Sequence, residues 1–303
     1  MTKSKSFTKA ILAAVGVYTL WGFSFMASKV GQESVTPFVL LAYRFDTAVI
    51  LLSIPIIFGK AKVRLKGKNI LPLILLGMME PCIYFIGEQY GLRLTNSAFS
   101  GVMIAIIPIV TLIMAAVFLK DRPSRLQWVF SILSIAGIIV ITLAENSGGE
   151  VSLLGFVCLL VAVLSGSAYG VISRGISDEF SVFERSYFMQ LMGAVFFTVL
   201  AVIEQRANLG GLITPLADKS FVLAVLYLAV GATVLGYTLF NYAVTNAPIA
   251  NTIIFCNLTT VLSVVAGTLL LKESFSAISI AAMAVVLIGI WGVQKFSPEE
   301  KEK

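Results

Sequence analysis

The feature that most constrains the fold is a series of long apolar segments that fills nearly the whole chain. A helix needs roughly 20 mostly apolar residues to cross a bilayer, and ten segments, called spans one to ten below, meet this requirement. They cover approximately residues 10–29, 36–58, 70–92, 97–119, 126–144, 151–173, 181–203, 220–244, 247–271 and 277–294. The connecting segments are short and leave no room for an extra soluble domain. The sequence therefore predicts an all-α membrane protein with ten transmembrane helices.

Composition argues against soluble alternatives. Only 13% of the 303 residues are charged, about half the share of a typical soluble domain. The chain has no histidine, which removes the commonest metal ligand and the commonest general base. Its 3 cysteines all lie in apolar segments, so we interpret them as packing residues and not as a disulfide framework. The composition implies no cofactor, no metal and no nucleic-acid partner.

The distribution of lysine and arginine predicts the orientation, because cytoplasmic loops carry the excess of both. With a cytoplasmic N-terminus, the inner segments hold Lys3, Lys5, Lys9, Lys60, Lys62, Arg64, Lys66, Lys68, Lys120, Arg122, Arg125, Arg174, Arg185, Lys295, Lys301 and Lys303. The outer segments hold only Lys29, Arg93, Arg206, Lys219 and Lys272. Both termini are therefore predicted to be cytoplasmic in a bacterial inner membrane.

The chain also repeats itself. Thr-Asn-Ser-Ala-Phe-Ser-Gly at 95–101 matches Thr-Asn-Ala-Pro-Ile-Ala-Asn at 245–251, and the spans that follow end in Phe-Leu-Lys-Asp at 118–121 and Leu-Leu-Lys-Glu at 270–273. Residues 1–148 and 149–303 are thus predicted to be two related halves of five helices each. An odd number of helices makes the second half enter the membrane from the opposite side, which is the inverted repeat of many secondary transporters. Shared apolar composition is the alternative explanation.

The order of short motifs resembles the EamA-type members of the drug/metabolite transporter superfamily. The matching residues are Trp21-Gly22, Tyr43-Arg44-Phe45, Gly91-Leu92, Thr95-Asn96-Ser97-Ala98, Pro108 and Phe118-Leu119-Lys120-Asp121. The resemblance covers almost the whole chain in two copies. It implies ten helices in an inverted repeat, a central cavity, alternating access and, for many bacterial members, export of amino acids or related metabolites. This chain departs from the common pattern at Asp46, Glu80 and Glu88, so a relative's substrate does not transfer.

Charged residues within the spans are the main candidates for function, because a charge in hydrocarbon is costly unless it is paired or used. Arg44 and Asp46 lie in span two, and Glu80 and Glu88 lie in span three. Glu80, Tyr84 and Glu88 follow the i, i+4, i+8 spacing of one helix face, which predicts a polar stripe that lines a cavity. Arg44 lies at a depth between the two glutamates, so an ion pair with one of them is expected.

Glu80 is the predicted proton-coupling or substrate-amine site. One positive and three negative charges lie in this region, so protonation of one carboxyl group is the simplest way to neutralise the excess. Pro81 follows Glu80 directly and removes a helix hydrogen bond, and transporters place binding sites at such broken helices. The alternative is a static buried network that only orients spans two and three.

Other candidates for the cavity wall are aromatic and amide residues. Trp21 and Ser24 lie on one face of span one, and Tyr169 in span six is the looser equivalent of Trp21 in the repeat. This pair could flank an organic substrate, although packing is the commoner role of such residues. Spans eight and nine carry Tyr237, Asn241, Asn251, Asn257, Thr259 and Thr260. Of these, Asn241 and Asn257 are predicted to line the cavity, with hydrogen bonding between helices as the alternative.

Two local patterns predict helix starts. Asn96 and Asn246 follow short turns and precede apolar spans, which is typical of N-caps. Ser181 and Glu184 have the spacing of a capping box.

These patterns favour a secondary transporter, an exporter or antiporter of small amphipathic metabolites such as amino acids, with a small-molecule substrate and membrane lipids as its partners. The sequence has no Gly-x-x-x-x-Gly-Lys-Ser/Thr loop, so a proton gradient is the expected driving force. A membrane-embedded receptor or enzyme is the alternative. An enzyme would need a nucleophile and base or a set of metal ligands, and no such set occurs in the sequence.

Overall fold

The structure is a computed structural model that describes residues 2–118, 124–147, 152–246, 255–272 and 276–296. All regular structure in these residues is helical. The helices are α1 Thr2–Gly31, α2 Pro37–Ile57, α3 Leu71–Gly77, α4 Tyr84–Arg93, α5 Ser97–Ile104, α6 Ile107–Phe118, α7 Arg125–Ser147, α8 Leu153–Gly175, α9 Val182–Glu204, α10 Lys219–Leu226, α11 Gly236–Asn246, α12 Cys256–Val265 and α13 Ala277–Lys295.

Every predicted span contains helix in its described part. In these residues, 6 helices are long and apolar enough to cross a membrane. They are Phe7–Gly31, Pro37–Ile57, Leu71–Arg93, Leu153–Ser173, Val182–Glu204 and Lys219–Asn246. The segments Phe99–Thr111, Arg125–Ile141, Leu258–Leu270 and Ala277–Gly292 are shorter apolar helices. The prediction of an all-helical, multi-pass membrane protein is therefore confirmed, whereas the number of ten spans stays a prediction.

Two of the membrane-crossing helices are irregular in their middle. Between α3 and α4, the turns of Met78–Ile83 are wider than those of an α-helix, and the backbone of Glu80 is extended, with φ −141° and ψ 116°. Between α10 and α11, Tyr227–Leu235 also form widened turns. Widened turns of this kind are frequent at functional sites. Adding 150 to 78–83, the offset between 95 and 245 in the repeat, gives 228–233, which lies within the second irregular segment.

The helices pack in pairs that join the two predicted halves. Helix α2 packs against α9, α5 against α12, and α7 against α13. Helix α1 packs against α11, and α4 packs against α8. In the predicted repeat, α1, α2, α4, α5 and α7 correspond to α8, α9, α11, α12 and α13. The first three contacts therefore join corresponding helices, and the contact of α1 with α11 corresponds to the contact of α8 with α4.

The contact between α7 and α13 depends on two glycines that occupy equivalent places in the repeat. A Cβ atom on Gly137 would lie 2.7 Å from Val286 Cγ2 and 3.0 Å from the carbonyl oxygen of Ala282. A Cβ atom on Gly289 would lie 2.8 Å from the backbone nitrogen of Ser134. Small residues allow helix backbones to approach closely in membranes, so the shared Gly-Ile motif has a direct packing role.

The predicted helix caps are confirmed where the structure describes them. The side chain of Asn96 accepts a hydrogen bond of 2.8 Å from the amide of Phe99 at the start of α5. Ser181 and Glu184 form a reciprocal capping box at the start of α9. Asn246 is the last residue of α11, and its Nδ2 atom donates to the carbonyl oxygen of Tyr242 at 2.9 Å. The helix predicted to begin after it falls on residues 247–254, which are outside the described part.

Candidate functional site

A cavity of about 110 Å³ lies between the helices of the two halves. Its wall is formed by Tyr18, Trp21, Ser24, Phe25, Arg44, Glu80, Tyr84, Phe85, Glu88, Ile104, Ile107, Pro108, Thr111, Gly166, Tyr169, Gly170, Tyr237, Phe240, Val244 and Thr259. The space is several times that needed for one water molecule, so it can hold a small organic molecule. Seven of the predicted site residues belong to this wall: Trp21, Ser24, Arg44, Glu80, Tyr84, Glu88 and Tyr169. That they bind substrate stays a prediction.

Glu80 is placed in the cavity by the break in its helix. It is 7% exposed, and its Oε1 atom accepts a hydrogen bond from the hydroxyl of Tyr237 in α11. The Glu80 carboxylate and its donor therefore come from different halves of the chain. Because the backbone is extended at Glu80, this residue is not part of a continuous helical stripe with Tyr84 and Glu88, yet all three side chains reach the same cavity.

Glu88 is held by donors on its own helix. The hydroxyl of Tyr84 donates to Glu88 Oε1 at 3.0 Å, and Gln89 Nε2 donates to Glu88 Oε2 at 2.7 Å. Glu88 is 5% exposed. Both carboxylate oxygens of Glu88 are therefore occupied by donors from neighbouring residues of α4.

The prediction of an ion pair between Arg44 and a glutamate is wrong. Glu80, Glu88 and Arg44 are all described, and none of the ion pairs in the described residues joins them. Arg44 Nε instead donates to Thr233 Oγ1 at 2.7 Å, and the guanidinium carbon lies 4.4 Å from the centroid of the Phe85 ring. Arg44 therefore stacks on the Phe85 ring and donates to Thr233 in the widened turns of Tyr227–Leu235. The spacing of charged residues in the sequence did not predict either contact.

The aromatic residues of the wall form one connected group. The Trp21 ring centroid lies 5.4 Å from those of Tyr237 and Phe240. The Tyr169 ring centroid lies 6.3 Å from that of Tyr237 and 6.1 Å from that of Phe240. Trp21 Nε1 also donates to the carbonyl oxygen of Ala232 at 3.0 Å. Trp21 and Tyr169 are thus linked through α11 instead of facing each other as an isolated pair.

The remaining predicted residues are placed differently. Ser24 is in the wall, but its hydroxyl donates to the carbonyl oxygen of Trp21 at 2.7 Å. Asp46 lies outside the wall and accepts hydrogen bonds of 2.8 and 3.0 Å from the Thr198 hydroxyl. Asn241 is also outside the wall and donates to Ser186 Oγ at 3.0 Å. Asn257 belongs to α12, but its side chain is outside the described part.

Sequence reasoning missed several residues of the wall. Tyr237 is the most important, because it is the donor to Glu80. The sequence analysis named Tyr237 only as one of the polar residues of spans eight and nine. With the offset of 150 between the repeats, Tyr237 aligns with Gly87, which precedes Glu88. This alignment could have identified Tyr237 as a wall residue. Tyr18 and Phe240 carry no comparable signal, because aromatic residues in apolar spans are most often packing residues.

The wall has an excess of negative charge. With both glutamates ionised, two negative charges face the single positive charge of Arg44, which leaves a net charge of minus one. A buried excess charge needs a counter-charge, so the site is suited to take up one proton or one small cation. The aromatic rings around it are suited to an apolar body and to an ammonium group.

Comparison with known proteins identifies the family. The model of the EamA-like transporter family matches residues 8–143 and again residues 153–294. The chain belongs to the EamA-like transporter family. It is therefore a membrane transporter, as the resemblance of its motifs implied, and the names of the family and of its relatives indicate transport and not catalysis.

The relatives are similar over nearly their full length. The chain is 30% identical to the "Uncharacterized transporter YcxC" of Bacillus subtilis (strain 168), over 98% of this chain and 96% of that protein. It is 26% identical to the "Uncharacterized inner membrane transporter YedA" of Escherichia coli (strain K12), over 92% and 88%. It is 22% identical to the "Probable amino-acid metabolite efflux pump" of Salmonella typhimurium (strain LT2), over 92% of both chains. A solved structure titled "Crystal structure of protein" has the same fold, with a TM-score of 0.66, 16% identity and coverage of 97% and 99%.

Proposed function

We propose that this protein is a proton-coupled exporter of small amine-bearing metabolites, such as amino acids, in the bacterial cytoplasmic membrane. The observation that carries the proposal is the position of Glu80, which lies at a break in a membrane-crossing helix and faces the cavity. Its carboxylate accepts a hydrogen bond from the Tyr237 hydroxyl. Transporters commonly place their binding sites at such breaks. Glu80 is thus placed to hold a transported group.

The charge of the wall supports competition between a proton and a substrate ammonium group for Glu80. Glu88 has its two oxygens occupied by Tyr84 and Gln89. Glu80 has a hydrogen bond to one oxygen only among the described contacts. Its second oxygen is therefore the natural acceptor for an incoming proton or ammonium. Binding of one would release the other, which couples export of the substrate to entry of a proton.

We further propose that the fold is ten transmembrane helices in two inverted five-helix repeats, residues 1–148 and 149–303. The pairing of α2 with α9, α5 with α12 and α7 with α13 supports this symmetry. Two of the three widened segments in the described residues, Met78–Ile83 and Tyr227–Leu235, support it as well, because they lie at equivalent places in the repeat; the third is Ala266–Leu270. Alternating access would follow from rocking of the two halves about the cavity.

The proposed orientation has both termini in the cytoplasm. The loops predicted to be cytoplasmic contact one another: Lys68 pairs with Glu184 at 3.1 Å, and Ser124 Oγ donates to the carbonyl oxygen of Phe296 at 2.9 Å. On the opposite side, the hydroxyl of Ser34 donates to Asp218. These contacts agree with the distribution of lysine and arginine.

The proposed direction follows the relative that is named "Probable amino-acid metabolite efflux pump", whereas the proposed substrate class rests on the residues of the cavity wall. The buried carboxylate and the aromatic wall suit an ammonium group carried on a small apolar body. The expected partners are a small-molecule substrate and membrane lipids.

Transport can be tested with purified protein in liposomes that contain the pH indicator pyranine. The lumen is made acidic, and each of the common amino acids is added outside in turn. Exchange predicts a rise in lumenal pH with at least one of them, and no rise in protein-free liposomes. Glu80→Gln should abolish the pH signal, because an amide cannot exchange a proton in this range.

The matched control is Glu33→Gln, which removes an exposed carboxylate from a loop and should leave the signal unchanged. A normal pH signal in the Glu80→Gln protein would show that Glu80 does not couple transport to protons. No signal with any amino acid in the unaltered protein would reject amino acids as substrates.

A further inference from the structure

Arg185 is a buried cation that the proposed function does not use. It lies in the first turn of α9 and is fully buried, with 0% exposure. Its Nη1 atom donates to the carbonyl oxygen of Ser173 at 3.1 Å and to Ser173 Oγ at 3.0 Å. Its Nη2 atom donates to Thr245 Oγ1 at 3.0 Å. All of these acceptors are neutral, and the buried Nε atom has no hydrogen-bond partner among the described residues.

The nearest carboxylate in sequence is already occupied. Glu184 accepts hydrogen bonds from the amides of Ser181 and Arg64, and it forms an ion pair with Lys68. That pair is the only ion pair in the described part of the chain. No carboxylate among the described residues therefore balances the charge of Arg185, and an uncompensated buried charge is costly.

Arg185 is not part of the wall, but it donates to two residues that follow wall residues along their helices. Ser173 follows Tyr169, a residue of the wall, by four positions and therefore lies one helical turn further along α8. Thr245 follows Val244, which is also in the wall. The guanidinium thus donates to residues within about one helical turn of wall residues, at the end of α8, α9 and α11 that the proposed orientation assigns to the cytoplasm.

We propose that Arg185 forms an anion-binding subsite at the cytoplasmic end of the cavity and that it receives the carboxylate of a transported molecule. A carboxylate at Nε would supply both the missing acceptor and the missing negative charge, and arginine suits this group because its nitrogens form a planar fork. This inference rests on the proposed function, because the carboxylate would belong to the same amine-bearing substrate that Glu80 is proposed to bind.

The competing explanation is that Arg185 only ties three helices together through Ser173 and Thr245. The two explanations differ in specificity. Loss of a structural tie weakens binding of every ligand, whereas loss of an anion subsite weakens only ligands that carry a carboxylate. The test therefore compares three probes with the same aromatic body: phenylacetate, phenethylamine and phenylalanine.

The measurement is calorimetric titration of the purified full-length protein at neutral pH. The unaltered protein should bind phenylalanine about tenfold or more tightly than phenethylamine, as expected for hydrogen bonds to a charged group. Arg185→Gln should bring this ratio to about one and abolish phenylacetate binding, with phenethylamine unchanged. Arg185→Lys keeps the charge and should retain part of the ratio. Thr245→Val removes one tie and should leave the ratio intact.

Several outcomes would overturn the subsite. They are an equal loss for all probes in Arg185→Gln, a ratio near one in the unaltered protein, an unchanged ratio in Arg185→Gln, and loss of the ratio in Arg44→Gln instead. If Arg185→Gln does not fold, collapse of binding for all probes in Thr245→Val would equally support the structural tie and reject the subsite. The Glu80→Gln protein separates this proposal from the proposed function. It should lose affinity for both amines but keep phenylacetate binding, and unchanged amine binding in it would count against Glu80 alone.

Discussion

The hydroxyl of Tyr237 donates a hydrogen bond to the carboxylate of Glu80, and this bond joins the two predicted halves of the chain inside the cavity. Both residues are buried. Tyr237 also contacts Trp21 and Tyr169 through its ring. If the two halves move against each other as proposed, the surroundings of Glu80 change with that movement, because its hydrogen-bond donor lies in the other half.

The bond predicts energetic coupling between the two side chains. Tyr237→Phe and Glu80→Gln should each destabilise the protein, and the double variant should differ from the sum of the two by about 1–3 kcal/mol. Chemical unfolding in detergent micelles measures this difference. Tyr227→Phe is the matched control, because its hydroxyl donates to the carbonyl oxygen of Leu20 and not to Glu80. Additive effects of Tyr237→Phe and Glu80→Gln would contradict the coupling.

The close contact of α7 and α13 predicts that each of its glycines resists even a methyl group. Gly137→Ala and Gly289→Ala should each lower the free energy of unfolding by about 1–3 kcal/mol, since the added Cβ overlaps the facing helix. Gly170→Ala is the control, because a Cβ there meets nothing within 4 Å. It should be neutral or stabilising, because alanine favours the helix. A neutral Gly289→Ala would show that the helices separate easily.

Glu184 is predicted to anchor the basic loop between α2 and α3. Its carboxylate accepts a hydrogen bond from the amide of Arg64 at 2.7 Å and pairs with Lys68. Glu184→Ala should therefore accelerate tryptic cleavage within residues 60–68 when the cytoplasmic side is exposed. Ser181→Ala removes the other partner of the capping box at a cost of about 1 kcal/mol, but it leaves the loop contacts in place. Equal cleavage rates in the two variants would mean that helix capping, not the loop contact, controls access.

The orientation predicts which loops react from which side. A cysteine introduced at Asn208, between α9 and α10, should react with a membrane-impermeant maleimide in intact cells, after Cys82, Cys158 and Cys256 are replaced by serine. A cysteine at Lys62 should react only after the cells are broken. A green fluorescent protein fused after Lys303 should fluoresce, because it folds in the cytoplasm. Reaction at Lys62 in intact cells would reverse the proposed orientation.

The sequence predicted the helices well, because a long apolar segment in a membrane must form a helix to satisfy its own backbone hydrogen bonds. The break at Glu80 also had a local signal, since Pro81 cannot continue the hydrogen bonding of a helix. The widened turns of Tyr227–Leu235 had none. They contain no proline, and they receive hydrogen bonds from Trp21 and Arg44, which are about 200 residues away in the chain. Such contacts become visible only once the helices are packed.

The sequence predicted some residues of the cavity wall but not their hydrogen-bond partners, because those partners also depend on how the helices pack. Trp21, Arg44, Glu80, Tyr84, Glu88 and Tyr169 reach its wall, as expected of polar and aromatic residues with helical spacing. The partner of Arg44 was predicted wrongly, because charge and depth indicate which groups are costly to bury but not which neighbours satisfy them. Asp46 is only two residues from Arg44, so it points away from the cavity and meets Thr198 of α9 instead.

Helices α7 and α13 contribute none of the described residues of the cavity wall. The contact between these two helices is therefore separate from the residues that line the cavity. A substitution in the wall therefore need not disturb the contact between α7 and α13, which are the last helices of the two predicted halves.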